Sequence, residues 1–447
     1  MNRKLLLSAL AAAALVFTAC GAVGKPDPTT ITKRNEGNSS YSEFEDISEA
    51  TDVMTDPSSD SSSDDSSQAE KSEELIEKEK KEQEQKEKIE KTVEKTMKKM
   101  SAEEKVGQLF IVRPDALETD FSAATVNDDK AVGVTYVDDQ MKVNLDKYYV
   151  GGVAVYNKNI TDESQLKTLI EDLQSESKLP LFVGVEEEGG RISTISNNDN
   201  FDVKKYESMN SVGKSEDADS AKSVGKTIGG YLNKLGFNLN FAPVADVYSN
   251  PENTIIGDRA FSSEPETAAK LVVAEIKGLK EKKIMSAVKH FPGHGDVSGG
   301  TNGVIASTSK NWVELMQCEI IPFTETFNVT DMVMVGHITA PKVADDGLPA
   351  SLSKEMVSGK LRKELGYDGV VITDSMSASS IINSYNSGEA AVRAINAGVD
   401  IILAPYDLNE AYTAVFEAVE SGTISEERLD ESVKRILTLK AEYGLIK

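Results

Sequence analysis

The stretch MSAVKHF, residues 285 to 291, opens on apolar Met285, Ala287 and Val288 and closes on the charged pair Lys289 and His290. A run with so little polar alternation reads as a strand buried on both faces, and its last polar residues then lie at its carboxyl end. Seven other runs share this character: GQLFIV (107–112), VGGVAVY (150–156), LFVGVE (181–186), LNFAPVAD (239–246), MVMVGHI (332–338), GVVITD (369–374) and DIILAP (400–405). Longer amphipathic segments at helical spacing separate them. Eight such units predict an α/β protein, a closed (β/α)8 TIM barrel. An open doubly wound sheet is the alternative, but no glycine-rich phosphate turn follows the first run.

In a barrel of this kind chemistry collects where the strands end. Glu186, Asp246, Lys289, His290, His337 and Asp374 all finish a run. Any one of them could simply cap the next helix. Six on one face must be paired with each other or must meet a ligand. The segment KHFPGHGDVSGGTNG (289–303) holds two of the three histidines and then loses every charge after Asp296. Pro292 and its neighbouring glycines favour a turn whose backbone approaches a ligand over a metal site at His290, His294 and Asp296, so no metal or other cofactor is expected.

The segments before the barrel differ sharply from it. Residues 1–20 carry Arg3 and Lys4 ahead of an apolar run ending at Cys20, too short to span a bilayer and shaped like an export signal. With Gly21 after it, Cys20 resembles a lipoprotein cysteine, which predicts an exported protein held at the membrane by a lipid anchor and facing outward. Cys318 would then be the one remaining thiol, so stability must come from core burial. Residues 21–68 are poor in large apolar side chains, and nine acidic residues lie between Tyr41 and Gln68; disorder is expected. Residues 69–99 are helix formers with Glu and Lys three and four apart, a charged helical stalk. No apolar residue occurs from Glu77 to Lys88, whereas Ile89, Val93, Met97 and Met100 return at helical spacing and should dock onto the folded body, residues 100–447. The missing a/d seam argues against a coiled-coil dimer, so a monomer is expected. A net charge of −25 argues against nucleic acid as a partner.

Five motifs in order, EEEGGR (186–191), NFAPVADV (240–247), IGDRAF (256–261), KHFPGHG (289–295) and VVITDSM (370–376), resemble those of glycoside hydrolase family 3, and within it the bacterial β-N-acetylglucosaminidases built as one barrel. The resemblance starts near Met100 and runs to the C-terminus. It implies a retaining glycosidase acting on terminal β-linked N-acetylhexosamine in cell-wall or related glycans. By the same likeness Asp374 falls on the nucleophile, Lys289, His290 and Arg259 on sugar ligands, and Glu186 on a position usually held by aspartate. Arg191, Asp246 and His337 are expected to join them in substrate binding. A further family arginine would fall at Thr194 and is absent.

The sequence departs from the family at the acid/base. The Asp-Ser/Thr-His of a loop is replaced here by Gly300, Thr301 and Asn302. An asparagine amide donates a hydrogen bond but cannot deliver a proton. Asp296 and Glu187 are the carboxylates near enough in sequence to substitute. A sugar-binding surface lipoprotein is therefore the second expectation, and a β-glucosidase, whose family members usually carry a second domain, the third.

Overall fold

The computed structural model describes residues 64–297 and 303–447, with side chains from Glu77 onward. The signal and Cys20, most of the tether, and the loop positions Gly300 and Asn302 lie outside the described residues. Every predicted apolar run contributes a strand: β1 (Phe110–Val112), β2 (Gly152–Ala154), β3 (Phe182–Val185), β4 (Leu239–Asn240) and β5 (Met285–Phe291). After a short β6 (Ala306–Ser307) come β7 (Met332–Val335), β8 (Ile338–Thr339), β9 (Val370–Thr373) and β10 (Ile402–Leu403).

Eight of these form one parallel sheet in the order β10-β1-β2-β3-β4-β5-β7-β9. The Thr373 amide donates to Ile401 O at 3.0 Å and Ile372 bridges Ile401, which brings β9 back to β10 and closes the barrel. β6 and β8 pair separately as a small ribbon. All residues of the eight barrel strands are buried, which explains why their runs lack polar alternation. The helices that connect them sit outside; Ala218–Leu235 packs on Pro265–Glu281 with Gly225 and Gly278 at the crossing, where a Cβ would strike the opposite backbone within about 2.2 Å.

The stalk is a helix from Asp64 to Met97, beginning five residues earlier than the composition suggests. Glu77 through Lys88 are all exposed, Ile89 is half-buried and Val93 is buried, as the return of apolar residues implies. Val93, Ile89 and Met97 join the core of the barrel, and the exposed turns before them run beside Lys280 and Glu442.

Candidate active site

The carboxyl ends of β3, β4, β5, β7 and β9 bring the charged residues together. Lys289, near the end of β5, is fully buried and pairs with Glu186 Oε1 at 2.8 Å and Glu188 Oε1 at 2.7 Å. Burial lowers its pKa, but the two carboxylates outweigh burial and hold it above the ordinary value. Arg259 forks onto Glu188 through Nε at 2.8 Å and Nη2 at 2.7 Å. Glu188 is buried, which would raise its pKa; Lys289 and Arg259 overcome this and push it down to about 2.

Glu188 is the residue that sequence reasoning passed over. Three consecutive glutamates split into three environments. Glu186 stays part-exposed beside Lys289. Glu187 turns inward, accepting the Ile195 and Ser196 amides and the Tyr231 hydroxyl at 2.7 Å, so it is a fixture of the core and no acid for a substrate. Glu188 anchors both cations. The turn after it needs φ of +82° at Gly189 and +110° at Gly190, values that glycine adopts without strain.

Asp246 is fully buried and spends its carboxylate on the protein. Oδ1 accepts the amides of His290 (3.2 Å) and His294 (2.6 Å), and Oδ2 accepts His290 Nδ1 at 2.7 Å. His290 Nδ1 therefore carries a proton, and Nε2 faces Arg259 Nη2 at 3.4 Å. Asp246, expected in substrate binding, thus braces His290 and its turn. Gly295 lets that turn close: a Cβ there would lie 1.6 Å from Val247 O.

Arg191 makes its contacts with the 254–258 segment. Its Nε pairs with Asp258 at 2.9 Å and its Nη2 meets the carbonyls of Thr254, Ile255 and Ile256, so it staples the loop that carries Arg259 and does not face the cluster. His337 is consumed as well, with Nδ1 2.8 Å from Ser351 Oγ and Nε2 2.9 Å from Ser375 O. Asp296 is held by Thr308 Oγ1 at 3.1 Å and Lys310 Nζ at 3.2 Å, and Lys310 is shared with buried Glu319 at 2.6 Å. Thr194 is buried and its amide bonds to Glu186 O at 2.9 Å.

Asp374 follows β9 and is part-buried. Its amide donates to Val335 O at 2.9 Å, and its Oδ1 accepts the Ser375 amide at 2.7 Å. Burial would raise its pKa, but His337, His290, that amide and Lys289 together hold it below the ordinary carboxylate value. The arrangement presents an ionised carboxylate at one strand end and a buried cationic wall on the neighbouring ones, a combination suited to gripping a polyhydroxylated ring and attacking one of its carbons.

Comparison with known proteins fits this geometry. Residues 101–439 match the family described as the glycosyl hydrolase family 3 N terminal domain, and the chain belongs to that family. Beta-hexosaminidase A of Pseudoalteromonas piscicida is 31% identical over 340 residues, covering 70% of this chain and 57% of that protein. Beta-hexosaminidase LpqI of Mycobacterium tuberculosis is 31% identical over 320 residues, covering 69% of this chain and 80% of the relative. The structure of a glycoside hydrolase family 3 beta-N-acetylglucosaminidase from Paenibacillus sp. str. FPU-7 superposes with a TM-score of 0.69 at 34% identity, over 77% of this chain and 63% of that one. This chain thus spans well under two thirds of the Pseudoalteromonas protein.

Proposed function

We propose that the chain is a retaining glycosidase that releases terminal β-linked N-acetylhexosamine, with Asp374 as nucleophile. The observation that carries this reading is the Asp374 carboxylate at the end of β9, ionised and held by the Ser375 amide, on the same barrel face as Lys289 and His290. Attack by one carboxylate oxygen on the anomeric carbon forms a glycosyl ester as the bond to the leaving oxygen breaks; water then hydrolyses the ester. Lys289, His290 and Arg259 would hold the ring hydroxyls, with Glu186 completing the cradle. The hexosaminidase names of the relatives support N-acetylhexosamine as the sugar.

Protonation of the leaving oxygen is the weak step. Asn302 stands at the acid position, Asp296 is tied to Lys310, and Glu187 is sealed in the core. Glycosides with good leaving groups need little acid help, whereas a sugar leaving group without it loses about a hundredfold to ten-thousandfold in rate. That deficit favours, as the second reading, a sugar-binding protein on a hydrolase scaffold. In both readings residues 1–20 export the chain and Cys20 is lipidated, anchoring it outside the membrane; Cys20→Ala should release it from membranes.

The deciding experiment compares an aryl N-acetylglucosaminide with a natural disaccharide in wild type, Asp374→Asn and Asp296→Asn. Turnover of the aryl compound that collapses in Asp374→Asn supports the proposal. Disaccharide turnover lost in Asp296→Asn would make Asp296 the acid after all. No turnover of either substrate, with measurable saccharide binding, supports the second reading and overturns the first.

A further inference from the structure

Tyr156 lies two residues beyond β2, and Arg113 directly follows β1. Ala154 pairs with Gly184 across β2 and β3, so Tyr156 and Glu186, each two residues further on, emerge side by side at the rim. Residues two apart along a strand share a face, which sends both side chains the same way as that pair. The ring of Tyr156 is covered by the Arg113 guanidinium, 3.7 Å from its centroid, and Asp129 holds Arg113 Nη1 at 2.7 Å. The backbone is fixed as well: the Tyr156 amide donates to Asn159 Oδ1 at 3.1 Å, and Asn159 Nδ2 donates to buried Asp115 at 2.8 Å. A ring stacked under a cation on a pinned turn keeps its hydroxyl in one place.

That hydroxyl is uncommitted. It makes no hydrogen bond among the described residues, and it is not one of the polar atoms sealed from solvent without a partner. Burial raises its pKa; Glu186, Asp129 and Asp374 add to this while Arg113 opposes it, so the phenol keeps its proton at neutral pH. Glu186 and Asp374 are therefore near enough to act on the hydroxyl, yet neither is bonded to it. Glu186 gives Oε1 to Lys289 at 2.8 Å and leaves Oε2 without a partner among the described residues. A carboxylate can only accept, whereas a sugar hydroxyl has one proton to give and lone pairs to fill. A ring hydroxyl that gives its proton to Glu186 still needs a donor, and a protonated phenol stands alongside.

We propose that Tyr156 is a substrate-binding residue: its hydroxyl donates to a ring hydroxyl of the sugar that in turn donates to Glu186 Oε2, so that the β2 and β3 ends together seat one oxygen. This rests on the reading of Glu186 as part of the sugar cradle given above. The pair supplies one acceptor and one donor, which matches a neutral hydroxyl and leaves a substituent without a proton to give facing the carboxylate unpaired.

The test pairs turnover of an aryl N-acetylglucosaminide with calorimetric binding of free N-acetylglucosamine, both on the full chain. Tyr156→Phe removes the hydroxyl and leaves the stacked ring. It should lower kcat/KM and weaken N-acetylglucosamine binding by about threefold to tenfold, the yield of one hydrogen bond. Its Tm should stay within about 2 °C of wild type, because no contact within the protein is lost. In a Glu186→Ala background the same exchange should cost less than about twofold, since the oxygen it serves is no longer seated. Among aryl glycosides that each lack one ring hydroxyl, one should be insensitive to Tyr156→Phe, and that one names the oxygen. Tyr156→Phe values within about twofold of wild type in both assays, an undiminished penalty in Glu186→Ala, or equal sensitivity of every analogue overturns the proposal. The nucleophile reading fails separately: turnover that survives Asp374→Asn removes that role, while binding still reports on Tyr156. A wild type that neither turns over the aryl glycoside nor binds the free sugar overturns both.

Discussion

Exchanging Glu188 for glutamine removes one charge from a cluster of four. Glu188 meets Lys289 at 2.7 Å and Arg259 at 2.8 and 2.7 Å, and Glu186 is the other carboxylate on Lys289. After the exchange, buried Lys289 and part-buried Arg259 are left with one part-exposed carboxylate. Removing one partner of a buried ion pair costs about 3–5 kcal/mol. The titration behaviour gives a second route to the figure: a carboxyl held at about 2 against an ordinary 4.5 contributes about 3 kcal/mol by linkage. Because the folded value lies below the unfolded one, this stabilisation is complete above the unfolded pKa and disappears as the pH falls to about 2. Urea unfolding followed by circular dichroism should place Glu188→Gln about 3 kcal/mol below wild type at pH 7, narrowing to about 1 kcal/mol at pH 3. A gap under about 1 kcal/mol at pH 7, or one that stays constant as the pH falls, would refute the view that Glu188 anchors the cationic wall.

Other substitutions probe the frame around the site. Lys440, buried against Gln108 Oε1 (2.7 Å) and the Phe182 ring, has its pKa pushed down to about 7 by burial. Lys440→Met should therefore stabilise the protein by about 1–4 kcal/mol near pH 6, and thermal melts should show the gain shrinking toward pH 10, since folded wild type has shed that proton while the unfolded chain still holds it. Asp246→Asn leaves an amide where three N–H groups converge, and kcat/KM for an aryl N-acetylglucosaminide should fall about 10- to 100-fold. Gly295→Ala drives a methyl toward Val247 O and should cost about 1–3 kcal/mol, read as a lowered Tm.

The barrel was legible because its strands are buried on both faces, and continuous apolar runs record that condition directly. Strand-end placement likewise marked Asp374, Lys289 and His290. Individual roles were less legible, since side-chain direction after a strand depends on turn geometry that residue type does not encode. EEE at 186–188 offers three identical side chains, and the bend at Gly189 and Gly190 decides that Glu188 faces Lys289 and Arg259 while Glu187 enters the core. Arg191 looked like a ligand because it follows that motif, yet its fork fits the carbonyls of the 254–256 loop. His337 was placed at the correct strand end, but Ser351 is fourteen residues further on and nothing in the pattern links them.

The docking of the stalk fixes which way the barrel looks. Lys280 and Glu442 lie at the carboxyl ends of their helices, and in a β/α barrel those ends surround the floor, opposite the rim on which Asp374 and Lys289 stand. The helix turns from Glu77 run along that floor and join the core at Val93. The exposed turns of this helix, Glu77 through Lys88, therefore lie at the end of the barrel away from Asp374 and Lys289.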